Sequence, residues 1–249
     1  MKQTFYILIL LFCSVLNAQN DVIFEKANTL YNEGKYAEAI DTYKNILDTK
    51  HHSAALYFNL ANAHYKLNNI APSIYYYEKA LQLEPNDQDI KNNLAFANNM
   101  TIDAIDTVPE AGLKRLLNKT TNIMSFDTWA IMAIVSVFCS VILFLMYYFA
   151  YSTLKKRLSF IGSFVFLAWM LISLSFAFHN YNLVQKDKPA IIFANESKVK
   201  SEPNTRSEES FRLHEGTKVQ VLETVDDWKK IKLADGKTGW IETKDIKAL

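Results

Sequence analysis

Few residues in this 249-residue chain combine the type and the spacing that chemistry requires. The densest cluster is "DDWKKIKLADGKTGWI", residues 226–241, where Lys229, Lys230, Lys232 and Lys237 stand among apolar residues and two tryptophans, Trp228 and Trp240. Lysines interleaved with aromatic rings can track phosphates and stack on bases. Asp226, Asp227 and Asp235 cut the net charge of the run to +1, so it makes a poor phosphate stripe and nucleic acid is not an expected partner. The two cysteines, Cys13 and Cys139, both lie in apolar runs, so no polar segment offers a thiolate, a disulfide or a cysteine nucleophile. His51-His52 reads as a solvated turn and His64 as a packed side chain, and no cluster has metal-ligand spacing. Phosphate loops, nucleophile elbows and motif-fixed carboxylate pairs are missing. The expectation is a chain with no catalytic site, metal or cofactor.

The elements that carry these residues divide by polarity. The formal charge is +1 and half the residues are hydrophobic, but the apolar ones concentrate at 4–16, 128–151 and 158–178. Residues 1–18, "MKQTFYILILLFCSVLNA", have a basic start, a short apolar run and a small residue at the exit, which is a secretory signal pattern. Cleavage near Ala18 is the first reading. Retention as an anchor is the second, and lipidation at Cys13 is disfavoured by bulky Phe12. The uncharged runs 128–151 and 158–178 reach roughly 36 Å and 31 Å as helices, enough to cross a ~30 Å hydrocarbon core. The expected link, residues 152–157, carries Lys155, Lys156 and Arg157, which the positive-inside rule keeps cytoplasmic. Both flanking regions then lie outside the cytoplasmic (inner) membrane, in agreement with the signal segment.

Residues 20–53 and 54–87 align without gaps at an offset of 34: Ala27 with Ala61, Asn28 with Asn62, Tyr31 with Tyr65, Ile40 with Ile74, Tyr43 with Tyr77 and Leu47 with Leu81. That is the tetratricopeptide period, and each unit reads as two amphipathic helices around a turn, at Gly34 in the first and Asn68-Asn69 in the second. Pro85 ends the second unit where the first has His51, and residues 88–98 continue the offset as a capping helix. This stretch resembles the tetratricopeptide family. The resemblance implies a peptide groove lined by the first helix of each unit, with Phe24, Asn28, Tyr31 and Asn32, then Phe58, Asn62, Tyr65 and Lys66 facing it. Asn28 and Asn62 resemble paired asparagines that hold a peptide backbone or terminal carboxylate; consensus filling is the other reading of the same residues.

Residues 99–127 form a connector. Its part after Pro109 has Leu113, Leu116, Leu117 and Met124 interspersed with Lys114, Arg115 and Lys119, which suits an interfacial helix on the bilayer or a last helix of the repeat stack. Trp129 is expected at the water boundary. From Pro189 the pattern becomes short strands: Val219 with Val221, and Ile231 with Leu233, share faces while lysines point outward. Asp235-Gly236 suits a two-residue type I′ turn, and Gly239 marks a bend or close approach. Residues 189–249 resemble the bacterial SH3 family in Val199 through Pro203, Leu213, Glu215-Gly216, Trp228, Asp235-Gly236 and Gly239-Trp240-Ile241. The resemblance implies a barrel of five or six strands that binds peptides or wall fragments. Trp228 and Trp240 then either form a recognition face or complete a small core, the second being preferred.

The expected fold is therefore multidomain: an all-α tetratricopeptide solenoid, a two-helix transmembrane hairpin and a small all-β SH3-like barrel. The order of these parts, with "SFDTWA" leading into the first span, resembles the BatE-type proteins of the Bacteroides aerotolerance group. That resemblance implies a scaffold in the cytoplasmic membrane, working with partners that carry von Willebrand-type domains and indirectly with a MoxR-like ATPase. A peptidoglycan-binding receptor acting through the SH3-like region is the alternative.

Overall fold

The computed structural model describes residues 20–106 and 112–249. The signal reading of residues 1–18 and Pro109 fall outside the described residues, as do the side chains of Leu113 and Lys114. The chain divides into two compact units: the described residues of Met1–Thr107 together with Lys188–Leu249, and those of Val108–Asp187.

The first unit begins with helices α1 (residues 20–32), α2 (Tyr36–Asp48), α3 (Ala54–Lys66), α4 (Ile70–Leu83) and α5 (Gln88–Asn98). Starts of α2 and α4 are 34 residues apart, as are those of α3 and α5. The same period governs the punctuation. Gly34 and Asn68 both take positive φ, at 78° and 58°, where glycine and asparagine are the residues that turn most cheaply. Ser53 caps α3 by accepting from the Leu56 amide, and Asp87 caps α5 by accepting from the Asp89 and Ile90 amides. Pro72 falls in the first turn of α4, where its missing N–H has no partner to lose. Ala27, Ala39, Ala61 and Ser73 are fully buried at the helix crossings, and the Ser73 hydroxyl is satisfied by the Ala61 carbonyl.

The C-terminal part is one antiparallel sheet of seven strands: β1 (Pro189–Ile192), β2 (Glu196–Lys200), β3 (Glu209–His214), β4 (Lys218–Val225), β5 (Trp228–Lys232), β6 (Thr238–Glu242) and β7 (Ile246–Ala248). Their order is β3-β2-β6-β5-β4-β1-β7. The count exceeds the expected five or six because the short strands at each end of the region, β1 and β7, pair with each other, and β1 also pairs with β4. Ile192, Val199, Leu213, Val219, Ile231 and Ile241 form its core.

The turns correct the hairpin expectation. The two-residue turn is Asp226-Asp227, between the paired residues Val225 and Trp228, with Asp226 at φ 48°. Asp235-Gly236 belongs to a longer loop, in which the Leu233 amide donates to the Lys237 carbonyl and only Gly236 takes positive φ. Asp235 instead accepts from the Lys237 amide, the local side-chain bonding that favours aspartate in turns. Gly239 is a close approach, as its position suggests: a Cβ there would collide with Val199 Cγ1.

The sheet and the repeats share an interface that no local pattern announces. Ile191 of β1 is fully buried in the same apolar cluster as Tyr57, Ile74, Tyr75 and Ile90, and Phe193 and Leu249 pack against it. Phe193 meets Tyr75 edge to face at 5.7 Å, and the Lys247 ammonium sits 4.3 Å over the Tyr75 ring. Lys218 pairs with Glu78 of α4 at 2.7 Å. Asp103, just beyond α5, accepts three bonds: from the His214 amide at 2.7 Å, from the His214 ring at 2.7 Å and from the Thr217 hydroxyl at 2.6 Å.

Burial opposes ionisation of Asp103, but the bonds from His214 and Thr217 outweigh it and hold the carboxyl below its ordinary value of 3.8. A depressed carboxylate stabilises the folded state above the unfolded value. That stabilisation disappears as pH falls below about 3.8 and through the lowered folded value. Asp103→Asn removes the charge-assisted part of the clamp, a loss on the order of 2 kcal/mol. Faster hydrogen exchange at the β3–β4 turn of the full-length variant at neutral pH is the expected result; unchanged exchange would show that the clamp is energetically idle.

The second unit holds α6 (Gly112–Thr121), α7 (Phe126–Phe149) and α8 (Thr153–Lys186). The last two, of 24 and 34 residues, are long and apolar enough to cross a membrane. Residues 153–157 are helical, so Lys155, Lys156 and Arg157 stand in the first turns of α8 rather than in a loop. Leucine, lysine and arginine are good helix formers, and the chain reverses in Ala150–Ser152. Small residues line the seam: Ala133, Ser136 and Ser140 on α7, and Ser159, Ser163, Ser173 and Ala177 on α8 are buried. The Ser140 hydroxyl donates to the Ser163 carbonyl at 2.9 Å, and the Ser163 hydroxyl to the Ser140 carbonyl at 3.0 Å. The connector helix α6 packs on α8, within this unit and not in the repeat stack.

Candidate functional site

The first helices of the repeat units carry two amide clusters related by the 34-residue period. Asn28 Oδ1 accepts from the Tyr43 hydroxyl at 2.7 Å and from Asn59 Nδ2 at 3.0 Å. Asn62 Oδ1 accepts from the Tyr77 hydroxyl at 2.5 Å and from Asn93 Nδ2 at 3.1 Å. Each cluster ties the first helix of a unit to its second helix and to the first helix of the next. Two donors on one oxygen fix the plane of each amide. The Asn28 and Asn62 Nδ2 groups make no bond among the described residues and are left to donate outward.

The two clusters floor adjoining open depressions. Glu25, Asn28, Tyr31, Asn32, Tyr43 and Asn59 line one of 330 Å³. Tyr31, Asn62, Tyr65, Lys66, Tyr77, Asn93 and Phe96 line the other, of 210 Å³. Tyr31 is common to both, so they run on as one groove. Burial raises the Tyr43 hydroxyl to about 12, despite its bond within the cluster, and pushes Tyr77 up still further. Both phenols therefore stay neutral donors at physiological pH. Lys66 is exposed and has no ion-pair partner among the described residues, and Glu25 stands in the other depression, so the groove is polar and neutral between two opposite charges.

Of the residues assigned to the groove by sequence, Asn28, Tyr31 and Asn32 meet in one depression and Asn62, Tyr65 and Lys66 in the other. Phe24 and Phe58 line neither. They pack on Tyr43 and Tyr77, each with ring centroids 5.9 Å apart, and support the tyrosines from below. Sequence reasoning passed over Asn59, Asn93 and Phe96. The asparagines could have been found, because they too are separated by 34 residues and each lies three positions before or one period after a groove residue. Phe96, 60% exposed on α5, lies one period after Asn62 and could have been found in the same way.

Trp228 and Trp240 lie on the same face of the β5–β6 pair, with Lys230 directly opposite Trp240. Ile231 and Ile241 occupy the other face and fill the core. Trp240 is buried, 8% exposed, outside the cluster that holds Ile231 and Ile241, and the Lys230 ammonium lies 5.7 Å over its ring. Trp228 is half-buried beside Glu242 and Val225.

Residues 196–247 match the family model of the bacterial SH3 domain, and residues 54–87 match that of the tetratricopeptide repeat. The first unit, residues 20–53, lies outside the matched range and repeats its helices at the same offset. No curated protein matches the chain significantly. The protein thus joins a tetratricopeptide region and a bacterial SH3 domain, two types of binding module, around two long apolar helices; its architecture is that of a protein-interaction or cell-wall-binding protein.

Proposed function

We propose that this chain is a non-catalytic scaffold in the cytoplasmic membrane, which holds an extended segment of a membrane partner in the tetratricopeptide groove. The observation that carries this reading is the pair of oriented asparagines, each with its oxygen doubly engaged and its Nδ2 group unused, in a groove that the sheet does not cover. The sheet packs on α4 and on the segment after α5, while the groove is formed by α1, α3 and α5. Two amide donors and flanking aromatic rings suit the carbonyls and side chains of an extended peptide. The helices α7 and α8 cross the bilayer, with Lys155, Lys156 and Arg157 on the cytoplasmic side and both binding modules outside. Function is co-localisation, which raises the effective concentration of partners. The order of parts and the "SFDTWA" stretch favour a Bat-type complex, with von Willebrand-type partners beside it in the membrane and a MoxR-like ATPase beneath.

Asn62→Asp tests the groove without dismantling it. The carboxylate keeps both acceptor bonds, to Tyr77 and Asn93, and puts a negatively charged acceptor where the outward donor stood. Combined with Lys66→Ala, it is expected to lower recovery of crosslinked partners from membranes by roughly tenfold or more. Undiminished recovery would remove the groove from the mechanism. Sedimentation of the full-length protein with purified cell wall, unaffected by the same substitutions, would move the binding function to the SH3 domain.

A further inference from the structure

The helix α6 is held at a fixed place on the α7–α8 pair by a cluster of hydrogen bonds. The Thr121 carbonyl accepts from Trp129 Nε1 at 2.9 Å and from Asn180 Nδ2 at 2.7 Å. Asn180 Nδ2 also reaches the Met124 carbonyl at 3.1 Å, and His179 Nε2 lies 3.0 Å from Asn118 Oδ1. These bonds engage the last carbonyl of α6, that of Met124 beyond it and the Asn118 side chain, and so tie α6 to both long helices. Their position along the long helices matters. Trp129 stands at the start of one uncharged run, and His179 and Asn180 follow directly on the other, which ends at Phe178. If α7 and α8 span, the cluster sits where hydrocarbon gives way to headgroups.

The rest of α6 suits that depth. Asn118 and Thr121 face α8, while Leu116, 61% exposed, lies on the opposite side, Leu117, 39% exposed, flanks the contact, and Ile123 in the following turn is 71% exposed. Arg115 and Lys119, one turn apart, are exposed on the sector beside the leucines. Residues 112–126 contain no acidic residue. A helix pinned at the boundary, with adjoining apolar and cationic sectors, puts leucines among acyl chains and cations among phosphates.

We propose that α6 is a lipid-contacting helix that lies in the outer headgroup layer of the membrane and binds anionic phospholipid through Arg115 and Lys119. The proposal rests on the spanning of α7 and α8, and its test separates the two. The full-length protein, with Cys13→Ala and Cys139→Ala, carries one fluorescent thiol label, either at Leu116→Cys or at Phe138→Cys in the middle of α7. It is reconstituted in vesicles of phosphatidylcholine with or without phosphatidylglycerol. The Leu116→Cys label is expected to be quenched by a nitroxide placed shallowly on the lipid chain and spared by aqueous iodide, and the Phe138→Cys label to be quenched by a deep nitroxide. Arg115→Gln with Lys119→Gln should shift the ratio of lipid-quenched to iodide-quenched label at Leu116→Cys by about fivefold per cation in phosphatidylglycerol vesicles only. Iodide quenching at Leu116→Cys with deep-lipid quenching at Phe138→Cys overturns the proposal and leaves the spans in place. Lipid quenching at neither position overturns the spanning reading itself, and equal effects of the charge substitutions in both vesicle types overturn the anionic-lipid assignment.

Discussion

Gly216→Val is expected to detach the sheet from the repeats without unfolding either. Gly216 adopts φ 86°, in the left-handed region that a β-branched residue avoids. A Cβ at this position would lie 2.9 Å from Ile70 Cγ2, Ile74 Cδ1 and Thr101 Cγ2, so the turn between β3 and β4 fits against α4 only because it ends in a hydrogen. Ile70 and Thr101 present branched methyls that cannot rotate away freely. Backbone strain and overpacking together cost on the order of 3 kcal/mol. The contacts that resist are Ile191 in the shared core, the Lys218–Glu78 pair and the Asp103 clamp, and the last of these shares the strained turn through His214 and Thr217. Hydrogen exchange on the full-length variant should show faster exchange at β1 and residues 101–105, with α2 and α3 unchanged. Gly216→Ala combined with Ile70→Ala should recover part of the protection, since it removes one of the three opposing methyls. Wild-type exchange at β1 in Gly216→Val would mean that the turn adapts and that the interface does not depend on this glycine.

That interface marks the limit of what the sequence discloses. The helix pairs were legible because a 34-residue offset repeats turns, caps and buried alanines together, each a local requirement. The long apolar helices were legible from composition, and β4, β5 and β6 from alternation. Asp103 was not, because it lies in a connector without periodicity and its three donors stand more than a hundred residues away. Ile191 sits in a short apolar run where every residue looks like sheet core, and alternate residues, Ile191 and Phe193, cross to the repeats. The hairpin turn was misplaced for a similar reason. Asp-Gly has the stronger intrinsic preference, but the paired register puts the tight turn at Asp226-Asp227 and the longer loop at Gly236. Within the groove, the asparagine positions followed from the repeat, whereas the pairing that fixes their orientation needed a third helix in place.

Acidification below neutral pH is expected to destabilise the repeats through His64. The ring is 5% exposed and stacks on Tyr76 with centroids 5.6 Å apart. Its Nδ1 lies 3.3 Å from Asn69 Nδ2, which can donate to it, and its Nε2 has no partner among the described residues. A proton added here would create a buried cation facing Lys44 of α2 and Lys247 of β7. Burial first, then these two lysines, lower its pKa from 6.5 to about 4. Between those values the unfolded chain takes up a proton that the folded chain refuses, so stability falls as pH drops from 6.5 and levels off below about 4. The full loss is roughly 3 kcal/mol. His64→Leu deletes the titrating group, and its stability should decline less than that of the wild type between pH 6.5 and 4. The Asp103 contribution enters only at lower pH, so the two do not overlap. Thermal unfolding of both proteins in the same detergent across this range decides the matter: a smaller decline in His64→Leu than in the wild type supports the assignment, and parallel curves would place the acid sensitivity elsewhere.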